Sequence, residues 1–370
     1  MKLDIGIIGC GNISGIYCKR LKEFSHLNVL ACADLERAKA EACAAEHAIP
    51  EVLEPAALLA HPEIDIVVNL TLPMAHYDVA RAALENKKHV YNEKPLAIEL
   101  AQGKELVALA KRQKRLIGCA PDTFLGGGLQ TCRKLVDDGV IGRPVAATAF
   151  MMCHGHESWH PSPEFYYKVG GGPLLDMGPY YLTALVSLLG PVARVCGGAG
   201  MAMAERTITS KPKSGTVIKV ETPTHIAGVL EFVSGALATV VMSFDVWGAR
   251  VPCLEVYGTD GTLSVPDPNS FGGPVCVHIP GKKNWEEVPL THGFAENYRG
   301  LGVADLACAA VNKRPARASG ALALHVLEVM HAMLTAGATH KYVSVKSRCE
   351  RPAPLPPGDN DTILRALITE

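Results

Sequence analysis

Apolar runs of strand length alternate with helical stretches through the first third of the chain. Leu3 to Ile8 (LDIGII) is almost wholly apolar, as a strand buried on both faces of a sheet should be. ISGIYCKRLKEF, from Ile13, has helical texture, and Leu27 to Ala33 (LNVLACA) is a second strand ending on Asp34. The same alternation continues. Leu35 to His47 is Ala-rich and helical, and a short helix in EPAALLAHPE stops near Pro62. Ile64 to Leu70 (IDIVVNL) is a β-branched strand, Met74 to Lys87 a helix, and Lys88 to Glu93 (KHVYNE) a strand. A helix from about Ile98 to Lys114 and a strand RLIGCA (Arg115 to Ala120) complete the series. This order predicts an α/β fold with a doubly wound parallel sheet of Rossmann type.

The texture changes near Pro121. A helix carrying LQTCRKLVDDG precedes a strand PVAATAFMM, then a polar loop rich in His and aromatics, CHGHESWHPSPEFYYKVGGGP. An apolar helix from Tyr180 to Leu189 follows, and after it IAGVLEFVSGALATVVMSF and VPCLEVYGTDGTLSV alternate with Gly turns. Two helices, near Gly300 to Val311 and Ser319 to Ala336, and a Pro-rich surface tail (RPAPLPPGDN) end the pattern. The expected organisation is a nucleotide-binding domain over 1–121 and, over 122–370, an α+β domain with a large, mainly antiparallel open sheet.

Composition narrows the function classes. The 370 residues are 48% hydrophobic and 20% charged, ordinary for a globular protein of two domains. Lys+Arg 36 against Asp+Glu 37 gives a net charge of −1. No basic excess exists to neutralise phosphates, so no nucleic-acid partner is expected. The densest basic cluster, Lys111 to Arg115, reads as the solvated end of a helix. The 12 cysteines are scattered and form no C-x-x-C pair, which reads as small buried thiols in a reducing cytoplasm, with no metal. Asp4 interrupts the N-terminus, so no signal peptide is read. YYLTALVSLLG, taken as the most apolar helix, is too short to span a membrane.

The chemistry concentrates at strand ends. Gly9, Gly11 and Ser14 follow the first strand in the spacing of a dinucleotide cradle, with Asn12 and Ile13 inside the turn. Two glycines let the backbone approach a pyrophosphate, and the helix start offers it free N–H groups. Asp34 lies 20 positions beyond Ser14. A carboxylate there accepts from a ribose 2′-OH and repels a 2′-phosphate, which favours NAD over NADP. Arg37 is close enough to meet a phosphate and tempers that preference. Leu70 to Pro73 and Glu93 to Pro95 also follow strands, so all these segments converge on one sheet edge.

Four segments together resemble the Gfo/Idh/MocA oxidoreductases: GCGNIS, Thr71-Leu72-Pro73 with His76, Glu93-Lys94-Pro95, and GGGPLLDMGPYY (Gly170 to Tyr181). The resemblance covers nearly the whole chain. It implies that Thr71, Leu72, Pro73 and His76 belong to the cofactor site, that Glu93 contacts the nicotinamide ribose, that Lys94 sits at the reacting carbon, and that Pro95 follows a cis bond. It implies NAD(P)-linked chemistry on sugars, polyols or related hydroxy compounds, and a homodimer or homotetramer formed through the open sheet. The lysine can take the alcohol proton if burial and an oxidised nicotinamide lower its pKa.

Asp176 and Tyr180 are spaced i, i+4 and can share a helix face. Relatives often have His where this chain has Tyr180; the phenol can manage the substrate proton while Asp176 orients. In the loop His154, His156, Glu157, Trp159, His160, the zincin pattern is absent. A substrate-facing loop, with Trp159 as an apolar face for a sugar ring and the His residues, His160 among them, as its hydroxyl partners, stands beside packing or a domain interface as its role. Asp122 by family position, and Asn297 and Arg299 by sequence, are further cleft candidates. Two rival functions are an NAD-dependent glycosidase working through transient oxidation, and a non-catalytic dinucleotide sensor. The sensor reading sits poorly with the presence of Lys94.

Overall fold

In the computed structural model, which describes residues 2–370, the N-terminal pattern becomes a six-stranded parallel sheet. Its strands are β1 (Leu3–Ile8), β2 (Leu27–Ala33), β3 (Glu51–Val52), β4 (Ile66–Asn69), β5 (His89–Asn92) and β6 (Ile117–Cys119). Their spatial order is β3-β2-β1-β4-β5-β6. Strand order reverses between β1 and β4, and a crevice opens there beyond the strand carboxyl ends. The crossovers are α1 (Ser14–Leu21), α2 (Arg37–His47), α3 (Pro55–Ala60), α4 (His76–Glu85) and α5 (Leu100–Gln113). Ile5, Ile7, Ile66, Val67 and Val68 are 0% exposed. Each such side chain contributes roughly 1.5–3 kcal/mol by leaving water. β3 has two residues, too few to carry a period, and the pattern missed it.

The rest of the chain builds α6 (Gly127–Asp137), β7 (Pro144–Met152), α7 (Gly172–Leu189), β8 (Val192–Gly200) and a ribbon of β9 (Glu205–Thr207) with β10 (Val217–Lys219). Then come β11 (His225–Phe232), β12 (Leu237–Ser243), β13 (Leu254–Gly258), β14 (Thr262–Val265), β15 (Val275–His278) and β16 (Glu286–Val288). α8 (Leu301–Asn312), α9 (Gly320–Thr339), β17 (Val343–Ser344) and α10 (Asn360–Thr369) finish the fold. Nine strands form one sheet in the order β16-β15-β14-β13-β7-β12-β11-β8-β17. Every pairing in it is antiparallel except β7 with β12, which run parallel from Ala146 opposite Leu237 to Met152 opposite Ser243. Helices α7 and α9 pack on each other and on this sheet, while α8 and α9 also reach back to β6. There Cys119 N–H donates to Ala318 O at 3.0 Å.

Four expectations change. α7 begins at Gly172, eight residues before Tyr180. Pro173 suits a first turn because its missing N–H is not needed there. Pro179 lies inside the helix, where it leaves the Leu175 carbonyl without its usual donor. Second, α1 stops at Leu21, and Phe24 turns back into the core at 1% exposure. Third, the long apolar helix is α9, with 20 residues and a mean hydropathy of 1.4. By length and composition it could cross a membrane, but much of it is buried against β8, α5 and α7. Fourth, the Pro-rich tail is not a plain surface segment. Pro352 O accepts from Arg133, and Ala353 O and Pro354 O accept from Arg317, two arginines that are 8% and 5% exposed. Buried guanidinium groups need acceptors, and an extended Pro-rich strap offers carbonyls with few N–H groups of its own.

Candidate active site

The cradle follows directly from its glycines. Gly9 has φ +101°, and a Cβ there would lie 2.6 Å from the Leu70 carbonyl carbon, so only glycine fits. A Cβ at Gly11 would meet no protein atom within 4 Å. The space it leaves is open to a ligand's phosphates. Ser14 donates from Oγ to Gly11 O at 2.7 Å and closes the turn. Asp34 accepts from Cys10 N–H at 2.8 Å and from Glu36 N–H at 2.9 Å, one bond to each oxygen. Its carboxylate is thereby fixed beside the turn, with lone pairs left for a ribose diol. These features fit a dinucleotide such as NAD. The Arg37 guanidinium is turned to Glu41 at 2.9 Å and Glu54 at 3.3 Å on the surface of α2, engaged by carboxylates rather than poised alone for a phosphate.

Beneath the next two loops lies a polar floor. Asn69 and Asn92, both 0% exposed, are joined by a 3.0 Å bond from Nδ2 to Oδ1. Asn69 Oδ1 also accepts from Thr71 Oγ1 at 2.7 Å. His76 is 0% exposed, with Nδ1 2.7 Å from Pro95 O and Nε2 3.0 Å from Thr71 O. Burial lowers its pKa, so the neutral ring donates to one carbonyl at a time. His76 thus couples the Thr71 loop to the Lys94-Pro95 corner from below and does not open onto the cradle. Leu72, by contrast, is 66% exposed. Glu93 accepts from Tyr17 O–H at 2.9 Å and from Lys94 N–H at 2.9 Å. The Lys94-Pro95 bond is cis, as the resemblance implies.

Lys94 leaves the end of β5 and reaches α7. Its Nζ donates to Asp176 Oδ1 at 2.7 Å and to Asp176 O at 2.8 Å. The other Asp176 oxygen, Oδ2, lies 3.1 Å from His156 Nε2. The Tyr180 ring, 7% exposed, presents its face to Nζ at 5.2 Å from the centroid, a cation–π contact. Burial pulls the Lys94 pKa down, but Asp176 and then Tyr180 and Glu93 outweigh it, and the net shift is upward. This reverses the expected direction. A carboxylate at contact distance stabilises the ammonium more than partial burial disfavours it. For Asp176, burial pushes upward, yet Lys94 and His156 bring it down to about 2. Burial raises the Tyr180 phenol, with Lys94 opposing, so it stays protonated.

Above this group opens a cavity of about 620 Å³. Lys94, Trp159, Asp176 and Tyr180 line it together, as do His156, Tyr166, Asn269 and Arg299. Arg299 donates to Asn297 Oδ1 at 2.9 Å and to Asn269 Oδ1 at 2.8 Å, which holds it at the cavity rim. His156 is 9% exposed, ringed by Trp159, Tyr166 and Phe244 at centroid distances of 5.1, 4.2 and 4.6 Å. The sequence pattern did not separate His156 from its neighbours, because an irregular loop carries no period to say which side chain turns inward.

Two proposed substrate residues stand elsewhere. Asp122 is 1% exposed, and its Oδ2 accepts from Gly300 N–H at 2.8 Å and Gly302 N–H at 3.0 Å. It caps α8, where unpaired N–H groups and the helix dipole favour a carboxylate. His160 does not line the cavity; its Nδ1 accepts from Ser162 N–H at 3.0 Å behind Trp159. The remaining polar loop residues disperse. His154 stacks on Trp247, and Glu157 pairs with Arg206 at 2.5 Å.

The chain matches the family model for the oxidoreductase family with NAD-binding Rossmann fold over residues 3–120. It matches the GFO/IDH/MocA C-terminal domain over residues 129–264. It is 29% identical over 195 residues to the uncharacterized oxidoreductase YdgJ of Escherichia coli, a match spanning 51% of this chain and 54% of that relative. That is about half of the relative's length. It is 23% identical over 262 residues to myo-inositol 2-dehydrogenase of Thermotoga maritima, covering 70% of this chain and 74% of the relative. Levoglucosan dehydrogenase, solved with NADH and levoglucosan, shares the fold at a TM-score of 0.80 and 19% identity, over 94% of this chain and 100% of that one.

Proposed function

This chain belongs to the Gfo/Idh/MocA family of oxidoreductases, and from that premise we propose that it moves a hydride between NAD and a hydroxyl-bearing carbon of a sugar, glycoside or polyol. The observation that carries the reading is the Lys94–Asp176 pair, 2.7 Å apart, at the floor of a cavity beside the dinucleotide cradle. The cavity supports a polyhydroxylated substrate. Asp176, His156, Asn269 and Arg299 offer hydrogen bonds, and Trp159, 60% exposed, offers a flat apolar face to a ring. Related proteins named for inositol and levoglucosan support the same class.

When bound, NAD accepts the hydride and brings a cationic ring. The protein's own part concerns the proton. In reduction, the Lys94 ammonium donates to the substrate carbonyl oxygen and stabilises charge developing there. In oxidation, Lys94 gives its proton to solvent and the freed amine takes the hydroxyl proton, with Asp176 ionised throughout. Tyr180 stays protonated and serves as a donor to the same oxygen. His156, on Asp176 Oδ2, fixes the carboxylate that holds the lysine's ammonium. The assembly is proposed to be a homodimer or homotetramer through the open sheet. β12 supports this, since exposed Leu237 and Thr239 alternate with buried Ala238 and Val240.

The test is a panel of sugars, glycosides and inositols assayed for NAD⁺ reduction, with NADP⁺ in parallel. The proposal expects turnover on at least one polyhydroxylated compound, with NAD⁺ preferred. Aglycone release without net NAD⁺ reduction would replace it with the glycosidase reading. Binding of NADH with no turnover across the panel would favour the sensor reading.

A further inference from the structure

Four of the 12 cysteines converge in the nucleotide-binding half. Cys10 stands in the turn after β1, Cys18 on α1, Cys32 near the end of β2, and Cys43 on α2. The sulfurs of Cys10, Cys32 and Cys43 all lie within 4.8 Å of one another. Cys18 Sγ is 3.7 Å from Cys43 Sγ, and Cys18, Cys43 and His47 form a second group within 4.8 Å. All four cysteines are free thiols. Cys32 Sγ–H donates to Ala40 O at 3.4 Å and Cys10 Sγ–H to Ala33 O at 3.6 Å, bonds that are weak because a thiol is a weak donor.

We propose that Cys10, Cys32 and Cys43, with Cys18 beside them, form a binding site for one thiophilic d¹⁰ cation of the Zn²⁺, Cd²⁺ or Cu⁺ class. Thiolate sulfur selects such ions, and carboxylate-seeking cations such as Mg²⁺ are excluded. Three sulfurs around an ion at about 2.3 Å stand about 4 Å apart. The observed separations need only a small contraction to reach that geometry. Cys18 lies against Cys43 but outside the group of three, so solvent would complete a tetrahedral ion. Each thiol that ligates gives its proton to solvent, so binding weakens as pH falls. Cys10 is only partly buried and supplies the way in.

The consequence is structural. The turn after β1, the strand β2 and the helix α2 each contribute a sulfur, so one ion would staple the cradle turn to β2 and α2. The staple also reaches the cradle, because Cys10 N–H holds Asp34 Oδ2. This site does not depend on the catalytic reading, and its test does not use turnover.

The experiment titrates reduced full-length protein with Cd²⁺ and follows the ultraviolet thiolate-to-cadmium charge-transfer absorption. Expected is a band saturating at one Cd²⁺ per chain, with a rise in Tm. Cys43→Ser should abolish the band, and Cys10→Ser, at the accessible turn, should weaken binding at least tenfold; the second variant decides the matter where the first folds poorly. Cys276→Ser, on β15 and far from the cluster, should leave it unchanged. The proposal is overturned if no stoichiometric band forms, if it survives in both Cys43→Ser and Cys10→Ser, or if the cluster proves to be a Cys18–Cys43 disulfide that takes up no ion after reduction.

Discussion

Lys94 Nζ is held by two acceptors of one residue, Asp176 Oδ1 at 2.7 Å and Asp176 O at 2.8 Å. The contact ties the end of a parallel strand to a helix of the other sheet's layer. It sets the position of the ammonium and its charge together. Asp176 carries the further contact to His156, so the carboxylate is held from both sides.

Removing that carboxylate tests who controls the lysine. Asp176 is the main influence raising the Lys94 pKa against burial. Asp176→Asn should therefore lower it, and the ascending limb of kcat/KM for alcohol oxidation, which rises as the amine loses its proton, should move to lower pH. The acid Asp176, held near 2, stays ionised across the working range in the unmodified protein and contributes no limb of its own there. A pH–rate profile checks this; an unmoved limb would show that another group titrates.

Asp34 is argued to select the cofactor. A hydrogen bond to a charged acceptor is worth about 1.5–3 kcal/mol, so Asp34→Asn should raise the KM for NAD⁺ roughly 10- to 100-fold. It should also improve NADP⁺ use, because the repulsion of a 2′-phosphate is gone. The ratio of kcat/KM for the two cofactors measures it, with Tm recorded alongside because Asp34 also holds Cys10 and Glu36 N–H groups. An unchanged ratio contradicts the assignment.

Asp122 provides a stability test with a definite sign. Burial raises its carboxyl from 3.8 to about 6, against the lowering influence of the Gly302 and Gly300 N–H bonds. The raised value means its contribution is fully present below about pH 4 and is lost as pH climbs through 6. Asp122→Asn keeps an acceptor for α8 without the buried charge. Relative to the parent, it should gain stability between pH 4 and 7, by up to about 3 kcal/mol. Urea unfolding at the two pH values reads this. Substrate KM should stay the same; a large rise would return Asp122 to the substrate site.

Much of this was legible in the chain. The glycines at 9 and 11 and the acid at 34 have roles that depend on local spacing, and strand periodicity brings Lys94 to the same edge. What escaped depends on contacts distant in sequence. His156 meets Asp176 only because the loop folds over α7, and no period marks it. Asp122 looks like any acid after a strand until α8, 178 residues later, returns its N–H groups. The start of α7 is masked by Gly170 to Gly172 and by Pro179, residues that usually stop helices. The four sulfurs come from a turn, two helices and a strand, so linear spacing shows no motif. Their meeting follows from the βαβα winding alone.

The central claim is that Lys94 moves the substrate proton. Lys94→Met removes the ammonium while keeping a flexible apolar stem of similar reach. Single-turnover hydride transfer on the best substrate of the panel, with NADH binding measured on the same sample, tests it most directly. The account predicts that NADH affinity stays within a few-fold while the hydride-transfer rate falls at least 100-fold, the scale of a lost general acid–base. A variant that binds NADH and transfers hydride at the parent's rate would contradict it.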